Sequence, residues 1–263
     1  WKEGNIMKSE ILLKPSYWAN VSGGKDSLFM LKYILNHRER YPLNGVVHFE
    51  LEIDYPFIKN VVDYMESECK KFGVPFMRFT PHSSWQKLYE KYGFPTRRVR
   101  WCTSLKTECK MQLEEWLKEN NLYCVHYIGF CANETKRIKN KRNYIYPLAE
   151  NGIDEGSILE WAKNQQIFNN FYKTNNRCGC MYCPITARMN YAYLYKYYPE
   201  NFWFMIGKMK ETEEKMSIKL GRKFSIISSN PKYDTNYLVE NIETKWIHKL
   251  NEKENLFESN ERR

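Results

Sequence analysis

The stretch Tyr17 to Ser27, YWANVSGGKDS, constrains this chain more than any other. A short apolar run breaks into Ser-Gly-Gly-Lys-Asp-Ser, and apolar residues then recur at Leu28, Met30, Leu31, Ile34 and Leu35. The change from a compact run to helical spacing predicts a strand, a tight turn and an amphipathic helix that stops near Tyr41-Pro42. Gly23 and Gly24 permit positive φ and close backbone approach, so successive N–H groups can converge on an anion at a helix N-terminus. Lys25 adds a full charge, and Ser22 and Ser27 add hydroxyl donors. By its chemistry this is a phosphate cradle.

It is not a Walker A loop, which would need glycine at Ala19 and a hydroxyl residue at Asp26. A second short apolar run, Gly45 to Phe49, completes a strand–helix–strand unit, and ligands of such sheets bind beyond the carboxyl ends of the strands. Further strands are expected at Val74 to Phe79 and Tyr123 to Phe130, helices at 57–72, Trp85 to Tyr92, Met111 to Asn120 and Ile153 to Ile167, and an extended segment at Tyr144 to Leu148. The expected fold class is α/β: a Rossmann-like, mostly parallel sheet flanked by helices, with a helical C-terminal region. Residues 1–150 form the expected nucleotide-binding domain and 151–263 the cysteine-turn and helical region. Tyr191, Tyr193, Leu194 and Tyr197 read as core, and the charged tail from Asn251 as mobile.

Three polar segments follow strands or approach the same end of the sheet. Glu50 to Asp54 suits Mg²⁺, a ribose hydroxyl or merely solvent. The run Arg97-Arg98-Val99-Arg100 suits phosphate or solvent. Cys131 to Arg137 ends in Arg137, which can reach an anion.

The net charge of +10 favours polyanionic partners, nucleic acid foremost. No apolar run is long enough to span a bilayer, and WKEGNIMKSE at the N-terminus, with Trp1 where Met is usual, has no secretory character. Eight cysteines then point to a reducing, cytoplasmic setting with metal or catalytic thiols. Cys69, Cys109 and Cys124 fall in apolar patterns and read as core. Cys178, Cys180 and Cys183 lie within RCGCMYCP, where one more thiolate would complete a Cys₄ set for zinc or a [4Fe–4S] cluster. Three clustered thiols with one distant partner favour the cluster, with zinc second. Cys102 is the expected fourth ligand, in a basic loop, with Cys131 as its competitor.

SGGKDS matches the PP-loop of the adenine nucleotide alpha hydrolases and ATP pyrophosphatases. Together with RWCTSLK (Arg100 to Lys106), IGFCANETKR (Ile128 to Arg137), YPLAENGIDEGSILEW and GCMYCP, the chain from Val21 to Pro184 resembles the phosphoadenosine phosphosulfate (PAPS) reductase family, a HUP-type fold. The iron–sulfur members with similar features include DNA phosphorothioation component C and the tRNA thiolases. The resemblance implies Lys25, Asp26, Lys106 and Arg137 as catalytic residues. It implies Ser22, Gly23, Gly24, Lys25, Asp26, Ser27 and Glu134 as nucleotide contacts, and Cys102, Cys178, Cys180 and Cys183 as metal ligands. The implied cofactors are ATP, or PAPS or APS, with Mg²⁺ and the cluster. The implied partners are an adenine nucleotide, a nucleic acid acceptor, and a sulfur donor or thioredoxin-like reductant. The reductases carry a C-terminal Glu-Cys-Gly-type nucleophile, whereas this chain has no cysteine after Cys183, and Cys131 stands where that family has arginine. The resemblance therefore implies ATP-dependent adenylation with sulfur transfer. The alternatives are a sulfonucleotide reductase with a borrowed nucleophile and a non-catalytic binding module with structural zinc.

Overall fold

The computed structural model describes residues 13–261; the N-terminal decapeptide discussed above lies outside them. The chain runs β1 (Lys14–Val21), α1 (Lys25–Asn36), β2 (Gly45–Phe49), α2 (Pro56–Lys71), β3 (Phe76–Phe79), α3 (Trp85–Tyr92), α4 (Cys102–Glu119) and β4 (Leu122–Tyr127). It continues through β5 (Tyr144–Ile145), α5 (Pro147–Glu150), α6 (Glu155–Lys163), a 3₁₀ turn (Gln166–Phe168), α7 (Phe171–Thr174), α8 (Arg188–Tyr197) and α9 (Pro199–Leu220). Helix α10 (Thr235–Asn241) then passes through a π turn (Ile242–Ile247) into α11 (His248–Glu261).

The five strands pair in parallel in the order β3-β2-β1-β4-β5. The expected α/β class is therefore observed. The order reverses direction at β1, so the turn after Val21 opens at a topological switch point, where open α/β sheets hold ligands. Strand β2 is buried nearly throughout, and β1 is buried or half-buried from Ser16 onward, as strands covered by helices on both faces must be. Helix α1 supplies Leu28, Met30, Leu31, Ile34 and Leu35 to one face, and α4 supplies Leu113 and Leu117, with Trp18 and Val47, to the other. Each such side chain, fully buried, contributes about 1.5–3 kcal/mol.

Three segments depart from the sequence expectation. Cys102 opens a helix instead of lying in a loop: Leu105, Cys109, Leu113 and Leu117, four residues apart, bury one stripe of α4 and extend it back through the basic run. At Tyr144 to Leu148 the extended backbone lasts only to Ile145, because Pro147 takes the first position of α5, where its missing N–H costs nothing. The charged tail is a docked helix. Leu250 is fully buried, Lys196 Nζ and Tyr197 Oη reach Glu254 at 2.6 Å, and Lys253 Nζ donates to the Thr174 carbonyl at 3.2 Å. The tyrosine stripe on α8 is core, as expected, with Tyr191 and Tyr193 buried.

Candidate nucleotide and thiol site

Between β1 and α1 the chain turns on Gly23, at φ +73°, where a Cβ would come within 2.6 Å of Ile58 Cγ2. Gly24 has φ −80° and only ordinary contacts around a Cβ position. The turn is closed from inside: the Ser22 N–H donates to Ser27 Oγ at 3.2 Å, and Ser27 Oγ donates to the Gly24 carbonyl at 2.9 Å. The Lys25 N–H donates to the hydroxyl of Tyr172, 2.9 Å away and fully buried, which fixes the first turn of α1.

Lys25 does not project into the space above the loop. Its ammonium is buried, 2.7 Å from Asp26 Oδ1 and 3.4 Å from Glu155 Oε1. Burial raises the Asp26 carboxyl, against the pull of Lys25. The open space is a cavity of about 200 Å³ at the carboxyl ends of β1 and β2. Ser22 and Gly24 line one wall, Cys178, Gly179 and Cys180 another, and His48, Asp54 and Lys106 stand between them. Lys106, not Lys25, is the cation of this cavity. Cys180 raises the Lys106 ammonium most, ahead of Asp54, Cys102 and Cys183 and against desolvation. Burial pushes Asp54 up to about 6, opposed by Lys106. His48 keeps its proton on Nδ1, which donates to the Val21 carbonyl at 2.9 Å, and burial lowers its pKa, so a neutral ring lines the cavity.

The cysteine turn is tied to the sheet by the Met181 N–H, which donates to the Ile53 carbonyl at 2.8 Å. It is tied to α8 by Tyr191 Oη, which donates to the Cys183 carbonyl at 3.1 Å, and by Asn190 Nδ2, which donates to the Arg177 carbonyl at 3.2 Å. Cys102, at the start of α4, faces the same group: burial raises its thiol, and Cys183 is the next cause. Burial likewise pushes Cys180 up to about 12, with Cys183 and Cys102 adding to the effect. Cys178 turns toward the cavity and is raised by burial, then by Asp54. The four thiols thus form one neighbourhood, although among the described residues no three His, Cys, Asp or Glu side chains close on a point that would hold a metal ion. Cys131 is elsewhere. Its thiol is fully buried, pushed up to about 12 by burial, and donates to Asp26 Oδ1 at 3.6 Å. Cys69, Cys109 and Cys124 are buried core residues.

An ion network links loop and cysteine turn. Arg177, directly before Cys178, donates from Nε and Nη2 to the two Glu155 oxygens at 2.8 Å and from Nη2 to Glu134 Oε1 at 2.9 Å. The hydrogen bond from Arg177 is the largest cause of the lowered Glu155 pKa. Glu134 also accepts from Arg137 Nη1 at 2.6 Å and from the Cys131 N–H at 3.1 Å. Glu134 and Arg137 therefore support the loop's neighbours and do not line the cavity. Sequence reasoning did not single out His48, Glu155, Tyr172 or Arg177. His48 had a usable signal, its place at the carboxyl end of β2, and Arg177 another, its place beside the first cysteine. Tyr172 had none.

No family model matches the chain. The uncharacterized protein MJ0973 of Methanocaldococcus jannaschii is 28% identical over 197 residues, covering 69% of this chain and 44% of that protein, so the chain spans less than half the length of this curated relative. Among solved structures, the U34-tRNA thiolase NcsA from Methanococcus maripaludis with its [4Fe–4S] cluster aligns with a TM-score of 0.40 and 15% identity, over 77% of this chain and 73% of that one. A likeness at that level carries no argument about function.

Proposed function

We propose that the chain is a PP-loop enzyme, similar to the PAPS reductase family, that uses ATP to adenylate an acceptor, releases pyrophosphate and exchanges the adenylate for sulfur. One observation carries this reading: a single cavity has the SGGKDS loop as one wall and the cysteine turn as another. Nucleotide activation and sulfur chemistry would share that space.

The loop N–H groups and the α1 N-terminus suit the β- and γ-phosphates, and Lys106 suits the charge that builds on departing pyrophosphate. Asp54 is the carboxylate in position to meet Mg²⁺ carried by the phosphates. An acceptor oxygen attacks the α-phosphorus, and the bond to the bridging oxygen of pyrophosphate breaks. A sulfide-level sulfur then attacks the activated carbon, the carbon–oxygen bond breaks, and AMP leaves with the acceptor oxygen. Lys25, Asp26 and Glu155 hold the loop in shape, and Tyr172 fixes its last N–H.

The donor types suit a thiolate-held centre, with Cys102, Cys180 and Cys183 around Lys106 and Cys178 completing four. Burial keeps Cys102, Cys178 and Cys180 protonated, so metal binding would release protons. Were an iron–sulfur centre held by these thiols, it would supply redox-active iron and sulfide beside the phosphate loop. The test is anaerobic reconstitution with iron and sulfide, followed by incubation with ATP, a sulfide source and transfer RNA. AMP, pyrophosphate and sulfur-labelled RNA are expected. Sulfite release from APS or PAPS with thioredoxin, and no pyrophosphate from ATP, overturns the reading in favour of a reductase.

A further inference from the structure

A second cavity of about 200 Å³ lies away from the nucleotide site, between the loop before α4 and the loop joining α9 to α10. Four cations line it: Arg97 and Arg98 on one side, Arg222 and Lys223 on the other. Lys223 is held by Asp234 at 2.7 Å. The arginines are different. All three are exposed, and none has a carboxylate partner among the described residues. Arg78 and Arg177, by contrast, are held by carboxylates, Arg78 by Asp63 and Glu66 and Arg177 by Glu155 and Glu134. Three unpaired guanidinium groups around one cavity repel one another unless an anion joins them.

The cavity is preformed by two adjacent residues of α9. Thr212 Oγ1 accepts the Phe94 N–H at 2.8 Å and so anchors the Arg97 wall. Glu213, buried, accepts the Ile226 N–H at 2.8 Å and the Thr235 N–H at 3.1 Å and so anchors the Arg222 wall. The Arg97 wall is stiffened further by a turn in which the Thr96 N–H donates to the Val99 carbonyl at 2.9 Å and the Val99 N–H to Thr96 Oγ1 at 3.0 Å. A buried carboxylate that serves only to fix the backbone of a loop is a costly device. It fits a wall that must keep its shape when a highly charged ligand arrives.

We propose that this cavity is a docking site for the phosphodiester backbone of a nucleic acid strand. A polymer, and not a single small anion, is favoured by the continuation of the cations. From Arg97 and Arg98 the exposed run proceeds to Arg100, and two residues later the chain reaches Cys102. Tyr191 Oη, which donates to the Cys183 carbonyl at 3.1 Å, ties the cysteine turn to α8 on this side of the molecule. A strand held here has its neighbouring nucleotides led toward the thiols. Ser228 and Ser229 add hydroxyl groups around the cavity, and Phe224 adds an aromatic side chain to its lining. The site carries the acceptor class of the reading above and rests on it only for its catalytic purpose; binding is measured apart from ATP.

The experiment compares wild type, Arg97→Gln/Arg98→Gln/Arg222→Gln and a control, Lys59→Gln/Lys70→Gln/Lys118→Gln, which removes the same charge from exposed positions on α2 and α4. Fluorescence anisotropy follows a labelled oligouridylate and a labelled transfer RNA across a salt series. The groove variant is expected to lose affinity about tenfold or more, and its slope of log K against log salt to fall by about 2, as three lost single-strand phosphate contacts require. The control is expected to stay within about twofold in affinity, because its charges lie outside the contact. Equal losses in both variants, or no RNA binding by the wild type, overturn the proposal even if ATP is cleaved. Groove-dependent binding without any ATP cleavage supports it while refuting the adenylation reading. A thermal melt of each variant checks that folding is unchanged; a groove variant that melts early is replaced by the single variants Arg97→Gln, Arg98→Gln and Arg222→Gln, each of which should lower the slope by about 0.7, and three unchanged slopes overturn the proposal.

Discussion

Gly23 and Gly24 stand side by side in the loop, yet an added methyl should do different damage at each. At Gly23 the backbone lies at φ +73°, so alanine there costs about 1–2 kcal/mol in conformational energy. Its Cβ would also lie 2.6 Å from Ile58 Cγ2, against 3.4 Å for ordinary contact, and α2 or the loop must shift to relieve that overlap. Overpacking of this kind costs about 1–3 kcal/mol. Gly23→Ala should therefore lose about 2–5 kcal/mol in total, a large part of a typical domain's margin of about 5–15 kcal/mol. At Gly24 φ is −80° and the nearest atoms, Ser22 Oγ and Tyr172 Oη, are 3.5 Å away. Gly24→Ala should cost less than about 1 kcal/mol. Gly24 lines the cavity, however, and on the proposed reading a methyl there would stand in the way of a phosphate approaching the backbone. The assay is urea unfolding beside ATP binding by calorimetry. Gly23→Ala should lower the unfolding midpoint, and adding Ile58→Ala should restore part of the loss beyond additivity. Gly24→Ala should keep the midpoint and lose at least tenfold in ATP affinity. A stable Gly23→Ala protein, or a Gly24→Ala protein that binds ATP normally, refutes the assignment of a shaping role to one glycine and an access role to the other.

Tyr172→Phe removes the acceptor of the Lys25 N–H in a dry site and should destabilise by about 1–3 kcal/mol, read as a lower urea midpoint at unchanged slope. Cys102→Ser, Cys180→Ser and Cys183→Ser should each lower the iron and sulfide retained after anaerobic reconstitution, whereas Cys131→Ser, whose thiol belongs to Asp26, should retain them; iron loss in Cys131→Ser alone would exchange the ligand assignment. Burial, aided by Lys110, pushes His126 from 6.5 to about 4, so in that pH window the unfolded chain takes up a proton that the folded chain refuses. Stability should accordingly fall with pH below about 6.5, by about 2–3 kcal/mol near pH 4.5, and His126→Gln should remove that slope.

The part of the fold legible in sequence was the part written in local pattern. An apolar run, two glycines and a helical stripe lie within twenty residues of one another, and they place the loop at the carboxyl end of β1 without help from the rest of the chain. Cys102 was harder, because Arg97 to Lys106 is polar and basic and only Leu105, four residues before Cys109, betrays the helix that carries it. The tail was misread for a related reason: Glu254 looks solvated until Lys196 and Tyr197, more than fifty residues earlier, come up beside it. A greater distance in sequence hides Glu155 from Lys25, 130 residues apart. Charge in a sequence says that a cation is present and not what it faces.

Lys25 and Lys106 turn that limit into a test. Lys25 is the lysine of the motif, but it is buried and already has two carboxylates, so Lys25→Met strands Asp26 in a desolvated place and leaves Glu155 with Arg177 alone. Breaking one side of such a buried set costs about 3–5 kcal/mol. Loss of activity in that variant would thus report a damaged loop as readily as a lost catalytic charge. Lys106 reaches the cavity from the surface of α4, with no salt bridge to a carboxylate among the described residues. Lys106→Met should leave the unfolding midpoint near that of wild type and weaken ATP binding by about tenfold or more, the loss expected when a charged hydrogen bond of about 1.5–3 kcal/mol is removed. If Lys25→Met keeps its stability and loses ATP, while Lys106→Met binds ATP as wild type does, then the motif lysine leaves its carboxylates to meet the nucleotide and the cavity cation has another use. The opposite pattern makes Lys106 the charge that meets pyrophosphate, and it gives the motif lysine the task of holding Asp26 and Glu155 so that the loop above them keeps its N–H groups aimed at the phosphates.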